Sequence, residues 1–140
     1  MFQLNKKYLN TEQKTILCIP DVKASWHFIS KTYELHLNLI LVLEESWLKS
    51  VDCSGALELV VVSDFTSTIE IITQVDKIIE RLEYSVSIDY VVAFTEQHIE
   101  LIGILTDYYG AHSISSTQAQ LFRDKYVMKQ RAKEMGASQQ

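Results

Sequence analysis

The stretch "LNLILVLEE", Leu37 to Glu45, decides the fold. No polar residue interrupts it from Leu39 to Leu43. A strand with one wet face alternates apolar and polar residues, so an unbroken Leu/Ile/Val run needs apolar cover on both sides. Such a strand belongs inside a parallel sheet sandwiched between helices. Upstream, "KTILCIP" (Lys14 to Pro20) is a short apolar run that Pro20 turns into a loop, which gives a first strand. Between the two, "WHFISKTYEL" sets Trp26, Phe28, Ile29 and Tyr33 at helical spacing, with Asp21 or Ser25 as the start and Leu35 as the approximate end.

The same alternation continues downstream. "ALELVVVSDF" (Ala56 to Phe65) reads as a third strand. "TSTIEIITQVDKIIERLE" (Thr66 to Glu83) reads as an amphipathic helix, with Ile69, Ile72, Val75, Ile79 and Leu82 on its apolar stripe and Glu70, Gln74, Lys77 and Arg81 away from it. "IDYVVAF" is a fourth strand. The helix after it, "TEQHIELIGILTDYYG", has Thr95 as N-cap, Phe94 stapled onto Ile99, and Gly110 as the left-handed stop. "AHSIS" (Ala111 to Ser115) is a candidate fifth strand at the edge. Ser115 with Gln118 resembles a capping box, and Asp124 can cap a last helix ending at Gly136. The expected fold is therefore α/β: a doubly wound, mostly parallel sheet of four to five strands with helices on both faces. Its ligands are expected beyond the carboxyl ends of the strands.

Size and composition fit this reading. The chain has 140 residues, 47% of them hydrophobic and 22% charged. That is enough to bury one core without disulfides or metal, and leaves no room for a second domain. Its net charge of -5 argues against a general nucleic-acid binder, which needs a positive field. No apolar run approaches the roughly 20 residues of a membrane-spanning helix, and the N-terminus lacks the apolar core of a signal peptide. A cytoplasmic location is expected. Cys18 and Cys53 lie in or beside apolar runs without CxxC spacing and read as small buried hydrophobes.

The usual α/β chemistries leave little. "IPDVKAS", the loop after the first strand, has no glycine, so a GxGxxG dinucleotide turn is missing, and so is a P-loop. Asp21, Asp64 and Thr95 fall near three of the places a receiver domain needs, but no lysine follows "HSIS" and only one acid follows the first strand. Asp64 is read as a helix cap. His27, His36, His98 and His112 are scattered over separate elements without zinc spacing. There is no GxSxG elbow.

What remains is "LFRDKYVMKQRAKEMG", Leu121 to Gly136, a basic segment ending an acidic chain. A lysine at a helix start opposes the macrodipole unless an anion is meant to bind there. Together with the strand and helix before it, Asp89 to Gly136 resembles the junction between the N-terminal domain and the ATP-grasp core in ATP-grasp carboxylate-amine ligases. The "RDKYVMKQRAKEMG" tail is the sharpest part. In that superfamily the N-terminal piece is a Rossmann-like pre-ATP-grasp domain.

The resemblance implies a polar lead over 1–14, a pre-ATP-grasp domain over 15–123 and, over 124–140, a helix leading into a missing ATP-grasp domain. It implies a whole protein that uses ATP and magnesium to activate a carboxylate as an acyl phosphate and join it to an amine, by its texture an amino acid. Lys125 is the implied contact to the nucleotide phosphates. Glu96 is implied to face substrate or the neighbouring domain, and Arg123 reads as a surface residue. The second nucleotide lysine, the glycine-rich phosphate loop and the acidic metal ligands of the family are missing from the chain. The 140 residues alone are therefore expected to be inactive, without a bound cofactor, and open to self-association. Two other readings stand beside this one: a receiver-like or flavodoxin-like binding module without catalysis, and a freestanding relative of the pre-ATP-grasp domain acting as a partner domain.

Overall fold

The computed structural model describes residues 9–20 and 25–112, with Glu96 by its backbone only. Along the chain these are β1 (Thr15–Ile19), α1 (Ser25–Glu34), β2 (Asn38–Glu44), a 3-10 turn (Glu45–Trp47), β3 (Glu58–Val62), α2 (Thr68–Arg81), β4 (Tyr90–Ala93), a second 3-10 turn (Glu96–His98) and α3 (Ile99–Tyr109). The four strands form one sheet in the order β3-β2-β1-β4. Every neighbouring pair is parallel, with Leu17 opposite Ile40 and Val91, and Leu41 opposite Leu59. This is the α/β architecture expected from the Leu37 to Glu45 run. Asn38 to Leu43 are all buried.

The two-residue period of a strand divides the core into two layers. On one face Leu17, Ile19, Ile40, Val42, Val60, Val62 and Val91 pack against α2 and α3 through Ile71, Val75, Ile78, Leu101, Ile102 and Leu105. On the other, Ile16, Cys18, Leu39, Leu41 and Leu43 pack against Ile29 and the flanks of Trp26, Phe28 and Tyr33 on α1. Fully burying one such side chain is worth about 1.5–3 kcal/mol, so both layers are needed to hold the sheet.

Several local expectations shift. The α2 stripe runs through Ile71, Val75, Ile78 and Leu82, with Ile72 and Ile79 half-buried, while Ile69 is 78% exposed. The side chain of Ser67 caps α2, accepting from Glu70 N–H at 3.3 Å. Gln74 turns inward enough to donate to the Val61 carbonyl. Helix α3 does not begin at Thr95: the 3-10 turn intervenes and His98 stands at the N-cap position. Phe94 is not a staple there, because it packs edge-on against Phe28 of α1, centroids 5.3 Å apart. Gly110 does stop α3 in the left-handed region, at φ 64°. Ala111 and His112 carry no strand, although His112 N–H donates to the Asp89 carbonyl at 2.6 Å. The rest of the "AHSIS" candidate, and Asp21, Ser115, Gln118, Asp124 and Gly136, lie outside the described residues.

Polar side chains pin the amino edge of the sheet. Buried Asn38 donates to the carbonyls of Asn10 (2.7 Å) and Gln13 (3.2 Å) and accepts from Asn10 N–H (2.7 Å). Asp89 accepts from Thr15 N–H at 2.8 Å. At the start of β3 the buried Glu58 carboxylate meets the Arg81 guanidinium at 2.7 Å, tying the end of α2 to the sheet.

Candidate functional site

Parallel strands send all their carboxyl ends to one edge, and there the chain forms a cleft of about 330 Å³. Glu44 closes β2 into it. Asp64, Phe65 and Thr66 bring the turn after β3, and Thr68 the first residue of α2. The opposite wall is Gln97 and His98 from the second 3-10 turn with Leu101 and Ile104 of α3. Two helix starts therefore flank the cleft, and its lining is part acid and hydroxyl, part aliphatic.

The turn after β3 fixes the acids. Asp64 Oδ1 accepts from Thr66 N–H at 2.8 Å and from the Thr66 hydroxyl, and these bonds hold its carboxyl below the usual range. Glu44 Oε2 accepts from Phe65 N–H at 3.2 Å. Each carboxylate thus commits one oxygen to the turn. Among the described residues neither has an ion pair. Across the cleft the His98 ring meets Phe65 edge-on at 4.9 Å, and a 3.1 Å hydrogen bond joins its Nδ1 to Thr95 Oγ1.

Of the residues singled out in the sequence, Asp64 is in this cleft, but it caps the turn at Thr66 and not the helix, whose cap is Ser67. Thr95 lies just behind His98. Glu96 follows in the 3-10 turn, at the carboxyl edge after β4, and its backbone alone is described. Lys125 and Arg123 lie outside the described residues. His27, His36 and His112 are exposed and apart from the cleft, and no group of three metal-ligating side chains is found among the described residues. Cys18 is buried, and Cys53 is half-buried with its thiol pushed up by burial and by the Asp52 carboxylate, as suits an inert core cysteine. Glu44, Gln97 and His98 were not picked out from the sequence as a group. The one available signal was the acid pair that ends the apolar run of β2.

Compared with solved structures, this architecture has a counterpart in the crystal structure of an L-amino acid ligase from Bacillus licheniformis. The fold is shared with that ligase. The likeness has a TM-score of 0.60 at 12% identity and covers 77% of this chain. It spans 26% of the ligase chain, so this chain corresponds to about a quarter of that protein. No protein-family model matches the chain, and no curated protein does. Among the described residues, no helix is long and apolar enough to cross a membrane.

Proposed function

We propose that this chain is the N-terminal α/β domain of an ATP-grasp ligase that joins a carboxylate to the amine of an amino acid. The observation that carries the reading is the agreement of two separate lines. The described residues have the fold of part of an L-amino acid ligase, and the residues that follow them carry the "RDKYVMKQRAKEMG" resemblance to the same class of enzyme. On this reading Lys125 contacts the nucleotide phosphates and Glu96, at the carboxyl edge after β4, faces substrate or the neighbouring domain.

The described residues do not themselves suit ATP. Their carboxyl-edge cleft holds two carboxylates without an ion pair, a charge that repels a triphosphate, and the turn after β1 has no glycine. Nucleotide and magnesium would be held by Lys125 and by parts of a longer protein. The domain described here supplies a wall on the substrate side.

The test is ATP-dependent ADP release over a panel of amino acids, measured on the whole product of the gene encoding this chain, with Lys125 and with Lys125→Ala. Turnover that demands far more ATP in the variant, beside silence of the 140 residues alone, is the expected result. An unchanged variant, or turnover by the 140 residues, overturns the reading. The competing receiver-like reading has against it that Asp64 is tied to Thr66; labelling of Asp64 by acetyl phosphate would restore it.

A further inference from the structure

The charges of this chain are segregated. The described residues carry five basic against fifteen acidic side chains, a net of -10, whereas residues 113–140 carry five basic against two acidic, a net of +3. All seven of the latter fall between Arg123 and Glu134.

Many of the acids on the folded body already have partners. Glu58 has Arg81, Glu34 has Lys31, Asp76 takes the hydroxyls of Tyr108 and Tyr109, Asp89 takes Thr15 N–H, and Asp52 takes Ser54 N–H. Glu44 and Asp64, like Asp52 and Asp89, each have one oxygen on a backbone N–H and no cation among the described residues; what sets them apart is that they share one cleft. The cleft also has an uncovered apolar side. Ile104 in its wall is 43% exposed, and Ile69, next to Thr68, is more exposed still.

We propose that the segment Leu121 to Gly136 of this same chain docks on the carboxyl-edge cleft. Its lysines and arginines meet Glu44 and Asp64, and Val127 and Met128 cover Ile104. Charge complementarity favours this occupant, since with five basic side chains it is the most basic stretch of the chain, ahead of residues 1–8 with Lys6 and Lys7, and reach permits it. The described chain leaves at His112, bonded to Asp89 at the amino edge beside β4. Crossing to the carboxyl edge takes about 17–23 Å, the length of a five- to seven-residue strand. Residues 113–120 extend to about 26–29 Å, enough to deliver Leu121 there. The inference does not depend on the ligase reading, although docking would bring Lys125 to the edge where that reading needs it.

Zero-length carbodiimide cross-linking of the 140-residue chain, read by mass spectrometry on the monomer band, tests it. Links from Lys125, Lys129 or Lys133 to Glu44 or Asp64 within one chain are expected. Limited trypsin digestion gives an independent readout. The double variant Glu44→Gln/Asp64→Asn keeps the acceptors for Phe65 and Thr66 N–H, so the turn should persist. Cleavage between Arg123 and Lys133 should nevertheless accelerate about three- to tenfold, the worth of two partly exposed ion pairs. Raising the salt should have the same effect on the unmodified chain. Glu80→Gln, which neutralises an exposed acid on α2 away from the cleft, should change nothing. Links to carboxylates elsewhere on the body, links only between two chains, no links at all, or a double variant cleaved at the original rate would each overturn the proposal.

Discussion

Replacing Asn38 tests whether the amino edge is held by a polar pin rather than by apolar contact alone. The side chain is 1% exposed. It makes two bonds of 2.7 Å to the backbone of Asn10 and longer ones to the Gln13 carbonyl and Thr15 Oγ1, at 3.2 and 3.3 Å. Each good bond contributes about 1 kcal/mol net. Asn38→Ala loses both short bonds and leaves a small cavity worth about 1 kcal/mol more, for a total near 3 kcal/mol. Water reaches Asn10 and Gln13 on their exposed sides, which keeps the cost from rising further. Against a total stability of roughly 5–15 kcal/mol this is a large fraction. In urea, with a slope of about 1.5–2 kcal/mol per M, the midpoint should fall by about 1.5–2 M at constant slope. Asn38→Leu refills the volume without restoring a partner, so it should recover only the cavity share. A loss below about 0.5 kcal/mol for Ala, or full recovery by Leu, would refute the reasoning.

Three further outcomes follow from other contacts. A Cβ on Gly55 would lie 2.7 Å from Cδ1 and 2.8 Å from Cγ of Tyr33, whose hydroxyl is anchored on the Asp52 carbonyl at 2.6 Å. Gly55→Ala should therefore cost about 1–3 kcal/mol in thermal unfolding, and a Tyr33→Leu background should remove most of that cost. Arg81→Met takes the ion pair from the Glu58 carboxylate, which is 6% exposed; the expected loss is about 1–3 kcal/mol, discounted for the exposed side of Arg81, with partial recovery when Glu58→Gln is added. Burial, and then the bond to Asp76, raise the Tyr109 hydroxyl above its ordinary range. The folded state thus keeps a proton that the unfolded chain releases near pH 10, so stability should decline as pH climbs past about 10. Tyr109→Phe should flatten that decline between pH 8 and pH 11 in denaturant titrations, and an unchanged slope would count against the assignment.

The sheet was legible because Leu39 to Leu43 obey a local rule: a run that serves two apolar layers cannot alternate, and the structure divides those residues between both faces. The face of α2 was less legible. Ile69, Ile72 and Ile79 form one row, Ile71, Val75 and Ile78 another, and period alone does not say which row meets the sheet. The start of α3 was misread for a tertiary reason. Thr95 has a capping side chain, but Phe94 is drawn onto Phe28, and the chain inserts a 3-10 turn before the helix begins. The cleft had no signature of its own. Glu44, Asp64 and His98 come from three connections separated by about twenty and thirty-four residues, and only parallel pairing brings them to one edge.

The position of that cleft bears on what the domain contributes. In a doubly wound sheet the strand order reverses at the strand from which both halves grow, and ligands favour the crevice there. Here that strand is β1, with β2 and β3 on one side and β4 on the other. On the α1 face of this crevice Phe28 and Phe94 meet edge to face, so an apolar contact joins the helix after β1 to the end of β4. The acids, hydroxyls and histidine gather instead on the opposite face, between the starts of α2 and α3. A shallow, acidic concavity of this kind encloses no ligand by itself, but it gives a second, basic surface a register against which to close. The docking of Leu121 to Gly136 and the ligase reading both make that demand of the carboxyl edge, one from within the chain and the other from a longer protein. Their tests separate them, because neutralising Glu44 and Asp64 acts on the first through trypsin, whereas Lys125→Ala acts on the second through ATP.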